Sequence, residues 1–210
     1  DMDDSVEVWS LLFELAFTSG MRAGERYALM PYELELRDGV PGIFVQQQIQ
    51  EYGRPGDAVI PKWLDAEHLY GILWLTTPKT RAAARFVPIP QGLWDRLLAR
   101  IRRLHVGPRE LVFTNQLGHP VRESVERHHW LKALEAAGLP QVRIHSARHW
   151  MASMTARAGM PEDARISIMG HVSLQMTMHY THRDAASLGR LMAAAIPDLH
   201  DETDVEIVNV

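Results

Sequence analysis

The 210-residue chain contains no cysteine. This absence excludes a disulfide framework, thiolate chemistry and zinc sites built on cysteine, and it is compatible with a reducing cytoplasm, where we expect the protein to act. Long apolar runs are missing as well, since the stretch Trp9–Phe17 is interrupted by Glu14 and is too short to span a membrane. The first residues are acidic, so the sequence predicts no secretory signal peptide.

The sequence also lacks an excess of positive charge, because 22 Lys and Arg residues face 26 Asp and Glu residues, for a net charge of −4. Nine of the acids belong to the two ends of the chain: Asp1, Asp3, Asp4, Glu7, Asp198, Asp201, Glu202, Asp204 and Glu206. Without them, 17 acidic residues face 22 basic ones, a net charge of +5. The middle of the chain therefore has the charge to face phosphates. A solvated arginine-rich helix face is an equally good interpretation of Arg96–Arg103.

The hydrophobic periodicity predicts a mainly helical fold. Apolar residues recur at helical spacing over Val6–Phe17, and Thr18, Ser19 and Gly20 should end that helix. We predict further helices over 23–30, 91–104, 121–137, 146–158, 162–169, 173–181 and 184–195. Gly138, Gly159 and Gly170 stand where helix C-termini are expected.

The remaining segments indicate a small antiparallel sheet. Strands are predicted over 33–37 and 43–50, around a turn at 38–42. A second strand pair is predicted over 72–76 and 85–89, with 77–84 as the connecting tip, and a brief strand over 111–114. Residues 51–71 form an excursion with a short amphipathic piece at 62–70. The expected fold class is mainly α with a small antiparallel β-sheet (α+β).

Five segments carry residues suited to chemistry. Ile144–His149 contains His145, Arg148 and His149 in the sequence IHSARH. His171 closes the sequence IMGH, and Tyr180 follows nine residues later within MTMHYTH. The other two segments lie earlier in the chain. They are TSGMRAGE, with Arg22 and Glu25, and PKT, with Lys79, followed by RFVP from Arg85.

In order and spacing, these segments resemble the boxes of the tyrosine recombinase (phage integrase) family over roughly residues 6–190. The family pattern reads T-G-x-R-x-x-E, a K-T strand tip before R-x-V-P, H-x-x-R-H, L-G-H and T-x-x-Y-x-H. The chain departs from it at Ser19, at Met169 and in the length of 51–71, but no catalytic candidate is missing. The resemblance implies the tyrosine recombinase catalytic fold and a site-specific DNA recombinase. Such an enzyme uses a 3′-phosphotyrosyl intermediate and needs no metal, ATP or other cofactor.

The chemistry of phosphodiester cleavage fits the same residues. Without a metal, the reaction needs a nucleophile, cationic donors for the non-bridging oxygens and an acid for the leaving oxygen. The resemblance makes Tyr180 the nucleophile, and Arg22 and Arg148 the phosphate-binding forks. His145 would perform acid–base work, His171 would donate to a phosphate oxygen, and Lys79 would protonate the departing 5′ oxygen. Glu25 is expected to orient an arginine or cap a helix, and His149 to make a structural or supporting contact.

Three alternatives stay open at this point. His145 and His149 have the i, i+4 spacing of helical zinc ligands, although the glutamate that usually follows the first histidine is Ser146 here. A type IB topoisomerase shares the tyrosine chemistry. A non-catalytic DNA-binding module would keep the fold without the reaction.

The resemblance also implies an organisation and partners. We expect residues 1–199 to form the catalytic domain and 200–210 to form a tail that docks on a neighbouring protomer or folds back. Because helical pattern starts abruptly, we expect amino-terminal DNA-binding domains to be missing from this chain. The expected partners are double-stranded recombination sites of a phage or other mobile element, a homotetramer on DNA, and accessory DNA-bending or directionality proteins. No membrane association is expected.

Overall fold

The computed structural model describes residues 4–77, 84–170 and 184–196, together with Asp198. Its helices are α1 (Asp4–Ser19), α2 (Ala23–Tyr27), α3 (Gln91–Leu104), α4 (Glu123–Ala136), α5 (Ser146–Arg157), α6 (Glu162–Met169) and α7 (Ala185–Ala195). Its strands are β1 (Leu34–Arg37), β2 (Val40–Val45), β3 (Gln48–Glu51), β4 (Ala66–Tyr70), β5 (Leu73–Thr76) and β6 (Arg85–Pro88). The expected fold class, helices with small antiparallel sheets, is confirmed.

Helix α1 is the centre of the helical core. Leu11, Leu12 and Leu15 are fully buried on the face that the spacing predicted, and the helix packs against α2, α3, α4 and α5. It ends at Ser19, as predicted, and Gly20 follows with a left-handed φ of +62°. A Cβ at Gly20 would lie 2.8 Å from the Met151 sulfur of α5, so this turn needs glycine for its backbone and for its space.

The strands form two separate three-stranded antiparallel sheets, in the orders β1-β2-β6 and β3-β5-β4. The predicted pairing of 72–76 with 85–89 is therefore wrong, because β5 pairs with β3 and β4 whereas β6 pairs with β2. Most of the predicted tip between them lies outside the described residues. The amphipathic piece at 62–70 contains the edge strand β4.

The predicted strand over 43–50 is broken into β2 and β3. At the break, the side chain of Gln47 turns inward and is buried. Its Nε2 donates to the Ala28 carbonyl at 2.9 Å and to Glu33 Oε2 at 3.2 Å. The chain changes sheets at this residue, since β2 belongs to the first sheet and β3 to the second.

Most helix predictions are confirmed within a few residues. Helix α2 ends at Tyr27, three residues before its predicted end, and a separate 3-10 turn follows over Pro31–Glu33. The predicted strand over 111–114 is only an isolated bridge between Thr114 and Pro120. The predicted helix over 173–181 lies outside the described residues. No helix in the described ranges combines the length and apolar character needed to cross a membrane.

Three of the four arginines of α3 form ion pairs within the protein. Arg100 and Arg103 both pair with Glu7, and Arg96 pairs with Glu14, so the basic face of α3 packs on α1. The charge distribution suggested that Glu7 belongs to an acidic end of the chain, separate from a basic middle. In the structure Glu7 instead pairs with two arginines of that middle. These three arginines form intramolecular ion pairs, although the Arg103 side chain is still 50% exposed to solvent.

Glu33 generates a prediction about stability. Burial raises the pKa of the Glu33 carboxyl to about 8, against hydrogen bonds from Met30 and Gln47 that favour the anion. The folded protein therefore binds a proton that the unfolded chain releases near its ordinary value of 4.5, and the free energy of unfolding should fall as the pH rises from about 4.5 to 8. We expect Glu33→Gln to remove this loss and to be more stable than the wild type at pH 8, by on the order of 2 kcal/mol.

Urea unfolding at pH 5 and pH 8 measures this effect. The matched control is Glu67→Gln, at an exposed carboxylate, whose pH dependence should equal that of the wild type. Equal pH dependence in the wild type and Glu33→Gln would contradict the prediction.

Candidate active site

Three arginines from distant parts of the chain meet at the C-terminal end of α6. Arg22 precedes the first turn of α2, Arg85 opens β6, and Arg148 lies in the first turn of α5. We call these three residues the arginine cluster. The three arginines come from three of the five segments singled out in the sequence. The end of α6 belongs to a fourth, IMGH.

Each arginine donates to a different carbonyl at the end of α6. Arg85 Nε donates to the Ile168 oxygen at 2.7 Å, Arg148 Nη2 donates to the Met169 oxygen, and Arg22 Nη2 donates to the Gly170 oxygen at 3.3 Å. The last carbonyls of a helix have no partner within the helix, and its C-terminal dipole favours cations. The end of α6 therefore fixes the arrangement of all three guanidinium groups.

Glu25 is the carboxylate of this site, and it is almost fully buried. Arg85 forms a two-pronged ion pair with it, Nη1 to Oε1 at 3.0 Å and Nη2 to Oε2 at 2.7 Å. The backbone N–H of Arg22 donates to Oε2 at 2.8 Å, and Arg22 Nη1 lies 3.2 Å from Oε1. Burial alone would raise the pKa of Glu25, but the bonds and charges of Arg85 and Arg22 outweigh it and hold that pKa below its ordinary value. Glu25 is therefore an anion at neutral pH.

Arg148 is the least compensated charge of the cluster. Its side chain is buried, and its described hydrogen bonds go to the carbonyls of Gly20 and Met169. Within the described ranges no carboxylate contacts it. Burial, followed by the charges of Arg22 and Arg85, lowers the pKa of Arg148 to about 10 despite the opposing charge of Glu25. It remains a cation at neutral pH, so three positive charges share a single carboxylate.

Arg22 is the member of the cluster that solvent reaches. Its side chain is 46% exposed, whereas those of Arg85 and Glu25 are 7% exposed. A buried cation behind an exposed arginine fork is an arrangement that binds an anion with paired oxygens, such as a phosphate.

The other predicted site residues are placed less fully. His145 and His149 are exposed at the start of α5, with ring centroids 5.3 Å apart and ring planes at 82°. In the described part of the chain, no contact joins either ring to the arginine cluster. Lys79, His171 and Tyr180 lie outside the described residues. The chemical roles of all these residues therefore remain predictions.

Zinc binding by His145 and His149 gains no third ligand from the described residues. Across those residues, no three His, Asp or Glu side chains are arranged to hold a metal ion.

Arg85 was not among the predicted site residues. In the sequence, Arg85 is the first residue of the R-x-V-P segment. A signal was present there, because a charged residue opens a strand whose other residues are the apolar Phe86, Val87 and Pro88, and the structure buries all four. A buried arginine must find acceptors and an opposite charge, and Arg85 finds both at this site.

Gly170 allows a direct test of how tightly the cluster is packed. It caps α6 with a φ of +63°, and an added Cβ would lie 3.0 Å from atoms of the Arg85 guanidinium. We expect Gly170→Ala to destabilise the protein by about 1–2 kcal/mol through the left-handed backbone, with a further cost from displacing Arg85.

Gly138 after α4 is the matched control, with a φ of +67° and open space around an added Cβ. Urea unfolding of Gly138→Ala should therefore report the backbone cost alone. Equal losses of unfolding free energy in the two variants would show that Arg85 does not pack against position 170.

Similar proteins with known structure share this fold. The chain matches the Tn1549 transposon integrase in complex with circular intermediate DNA with a TM-score of 0.60 and 20% identity, covering 90% of this chain and 59% of that one. It matches the XerH site-specific recombinase bound to a difH substrate with a TM-score of 0.58 and 20% identity, over 92% of this chain and 48% of that one.

Relatives identified by sequence agree with them. A XerC-like tyrosine recombinase of Caldanaerobacter subterraneus subsp. tengcongensis is 28% identical over 184 residues, which cover 81% of this chain and 44% of the relative. An integrase of Saccharopolyspora erythraea is 31% identical over 114 residues, which cover 50% of this chain and 26% of the relative. The chain thus spans less than half the length of these two relatives.

The model of the phage integrase family matches residues 4–187, which include every segment that carries a predicted site residue. The resemblance inferred from the five segments is thereby confirmed, and the chain belongs to the phage integrase family.

Proposed function

We propose that this chain is the catalytic domain of a site-specific DNA recombinase that cleaves and rejoins DNA through a covalent bond to Tyr180. The observation that carries the proposal is the arginine cluster, with Arg148 buried without a contacting carboxylate in the described ranges and Arg22 open to solvent. Because its buried positive charge is only partly compensated, such a site favours the binding of an anion. Its fork geometry suits the non-bridging oxygens of a phosphodiester.

The reaction follows from the charge that develops at the phosphate. Arg22 and Arg148 bind the non-bridging oxygens and stabilise the added negative charge of the transition state. The Tyr180 oxygen attacks phosphorus, a bond forms between them, and the bond from phosphorus to the 5′ oxygen breaks. The phosphotyrosine retains the energy of the broken linkage, so that attack by a 5′ hydroxyl can rejoin DNA without ATP.

Two protons move during cleavage. The phenol of a free tyrosine has a pKa of about 10, so its proton needs an acceptor, and His145 at the start of α5 is the proposed one. Lys79 would supply the proton for the departing 5′ oxygen. His171, the residue after Gly170, would donate a hydrogen bond to a phosphate oxygen. This role is supported by Gly170, the residue directly before His171, because Gly170 lies against the cluster. Its carbonyl accepts a hydrogen bond from Arg22, and an added Cβ would lie 3.0 Å from the Arg85 guanidinium.

The proposed partners extend beyond the active site. The Tn1549 integrase and XerH were both solved with DNA, which supports double-stranded recombination sites as the substrate here. A homotetramer on DNA, amino-terminal DNA-binding domains and accessory bending or directionality proteins would complete the reaction. We place the catalytic domain at residues 1–199 and assign 200–210 to a tail that docks on a neighbouring protomer or folds back on its own.

Covalent trapping tests the proposed function. The protein is mixed with a nicked duplex that carries its attachment site, with EDTA present, and run on a denaturing gel. We expect a shifted protein–DNA band that is absent in Tyr180→Phe, because only the phenol oxygen can form the ester. A band that persists in Tyr180→Phe would refute the nucleophile, and a band abolished by EDTA would refute the metal-free mechanism. If the full-length protein gives no band, a non-catalytic DNA-binding module replaces the proposal.

The proposed tail has its own test. We expect deletion of residues 200–210 to weaken assembly on DNA at least several-fold in analytical ultracentrifugation. The deletion removes Val205, Ile207 and Val208, whose apolar side chains would otherwise be buried on the docking surface. Unchanged assembly and unchanged cleavage would contradict a docking role.

A further inference from the structure

We propose that Arg85 is a positioning residue that keeps Arg22 available for phosphate by occupying Glu25; the inference rests on the proposed function of the arginine cluster. Arg85 is buried, and three of its N–H groups are used inside the protein, two on Glu25 and one on the Ile168 carbonyl. Arg85 therefore acts through its neighbours.

Arg22 and Arg85 compete for the same carboxylate. Arg85 holds both oxygens of Glu25 at 3.0 and 2.7 Å, which leaves Arg22 with a single longer side-chain bond of 3.2 Å. The Arg22 side chain is half-exposed, and apart from this bond its guanidinium N–H groups are not committed to Glu25. In this arrangement Arg85 pairs with the carboxylate, and Arg22 stays available for a ligand.

If the two-pronged pair between Arg85 and Glu25 were lost, Arg22 would take the place of Arg85 on the carboxylate. Glu25 is buried, so an oxygen without a cationic donor is costly. The guanidinium of Arg22 already touches Glu25 and would turn to form the two-pronged pair itself, since that geometry is the strongest available to it. Arg22 would then be withdrawn from the phosphate side of the cluster.

A lysine at position 85 isolates geometry from charge. Lysine keeps the positive charge but carries it on a single nitrogen at the end of a flexible stem. It cannot donate to both oxygens of Glu25 and to the Ile168 carbonyl in the fixed directions of a guanidinium. Arg85→Lys should therefore release part of Glu25 to Arg22 while the net charge of the site stays the same.

The chain offers a closely matched control in Arg26. Its guanidinium is also buried, also grips both oxygens of a buried carboxylate, Glu126, and also donates to a carbonyl, that of Leu12 at 2.9 Å. Arg26 lies in α2, directly after the turn that carries Arg22, and its backbone N–H donates to the Arg22 carbonyl at 3.0 Å. Its guanidinium, however, makes no described contact with the arginine cluster. Arg26→Lys thus reproduces the loss of a buried fork without the competition for Glu25.

The first arm of the test measures binding of inorganic phosphate by isothermal titration calorimetry, with folding of each variant verified by circular dichroism. We expect Arg85→Lys to weaken phosphate binding about tenfold, which corresponds to the loss of one charge-assisted hydrogen bond. Arg26→Lys should stay within about twofold of the wild type, because its site is separate. Wild-type affinity in Arg85→Lys would overturn the proposal, as would an equal loss in Arg26→Lys.

The second arm removes the competitor. Arg85→Gln leaves Glu25 to capture Arg22, whereas the double variant Arg85→Gln/Glu25→Gln has no carboxylate to capture it. We expect the double variant to recover most of the phosphate affinity that Arg85→Gln loses. If Arg85 were only a support for the fold, the double variant would bind no better than the single one, and that result would overturn the proposal.

Single-turnover cleavage of the nicked duplex completes the test. With DNA affinity unchanged, Arg85→Lys should cleave about 10- to 100-fold more slowly than the wild type, because a small displacement of Arg22 misplaces the phosphate. The phosphate arm decides the role of Arg85 whether or not the wild type cleaves DNA. Absence of cleavage by the wild-type protein would refute the proposed function alone.

Discussion

The candidate site depends on the three carbonyls at the end of α6. Ile168, Met169 and Gly170 each accept a hydrogen bond from a different arginine, and those arginines lie on β6, α5 and the turn before α2. These carbonyls would otherwise be unpaired at a helix terminus, so the bonds serve the helix and the arginines together. A displacement of α6 would move every cation of the site, which makes this terminus the common reference for segments that are up to 148 residues apart in sequence.

The distribution of arginine partners explains how a chain of net charge −4 can hold a strongly cationic site. On α3, three of the four arginines pair with Glu7 or Glu14, so that this basic helix contributes to packing. At the arginine cluster, Glu25 is the only carboxylate that the described contacts provide for three guanidinium groups. Local pairing therefore decides where positive charge is available, and the composition of the chain does not.

The sequence predicted the features that depend on nearby residues. Periodicity and glycines located the helices, and the helices predicted over 23–30 and 146–158 placed Arg22 and Arg148 near helix starts, where the structure has them. Features that depend on distant partners were missed or wrong. The hairpin of β1 and β2 was predicted correctly, but the pairing of 72–76 with 85–89 was wrong, because β5 and β6 join different sheets. The break at Gln47 was missed, and the partners of its side chain, Ala28 and Glu33, lie 19 and 14 residues away. Arg85 was missed because its partners lie 60 and 83 residues away.

The state of Arg148 connects stability with function. A carboxylate placed against this buried cation would stabilise the fold, since a charge removed from water needs compensation. The described structure offers it carbonyl dipoles instead, which hold the guanidinium in place without neutralising it. Burial and the neighbouring charges of Arg22 and Arg85 lower the pKa of Arg148, which is consistent with that incomplete compensation. An internal carboxylate against Arg148 would occupy the place of the phosphate oxygens in the proposed reaction. Under that proposal, the charge compensation that Arg148 lacks in the folded protein would contribute to binding the phosphate.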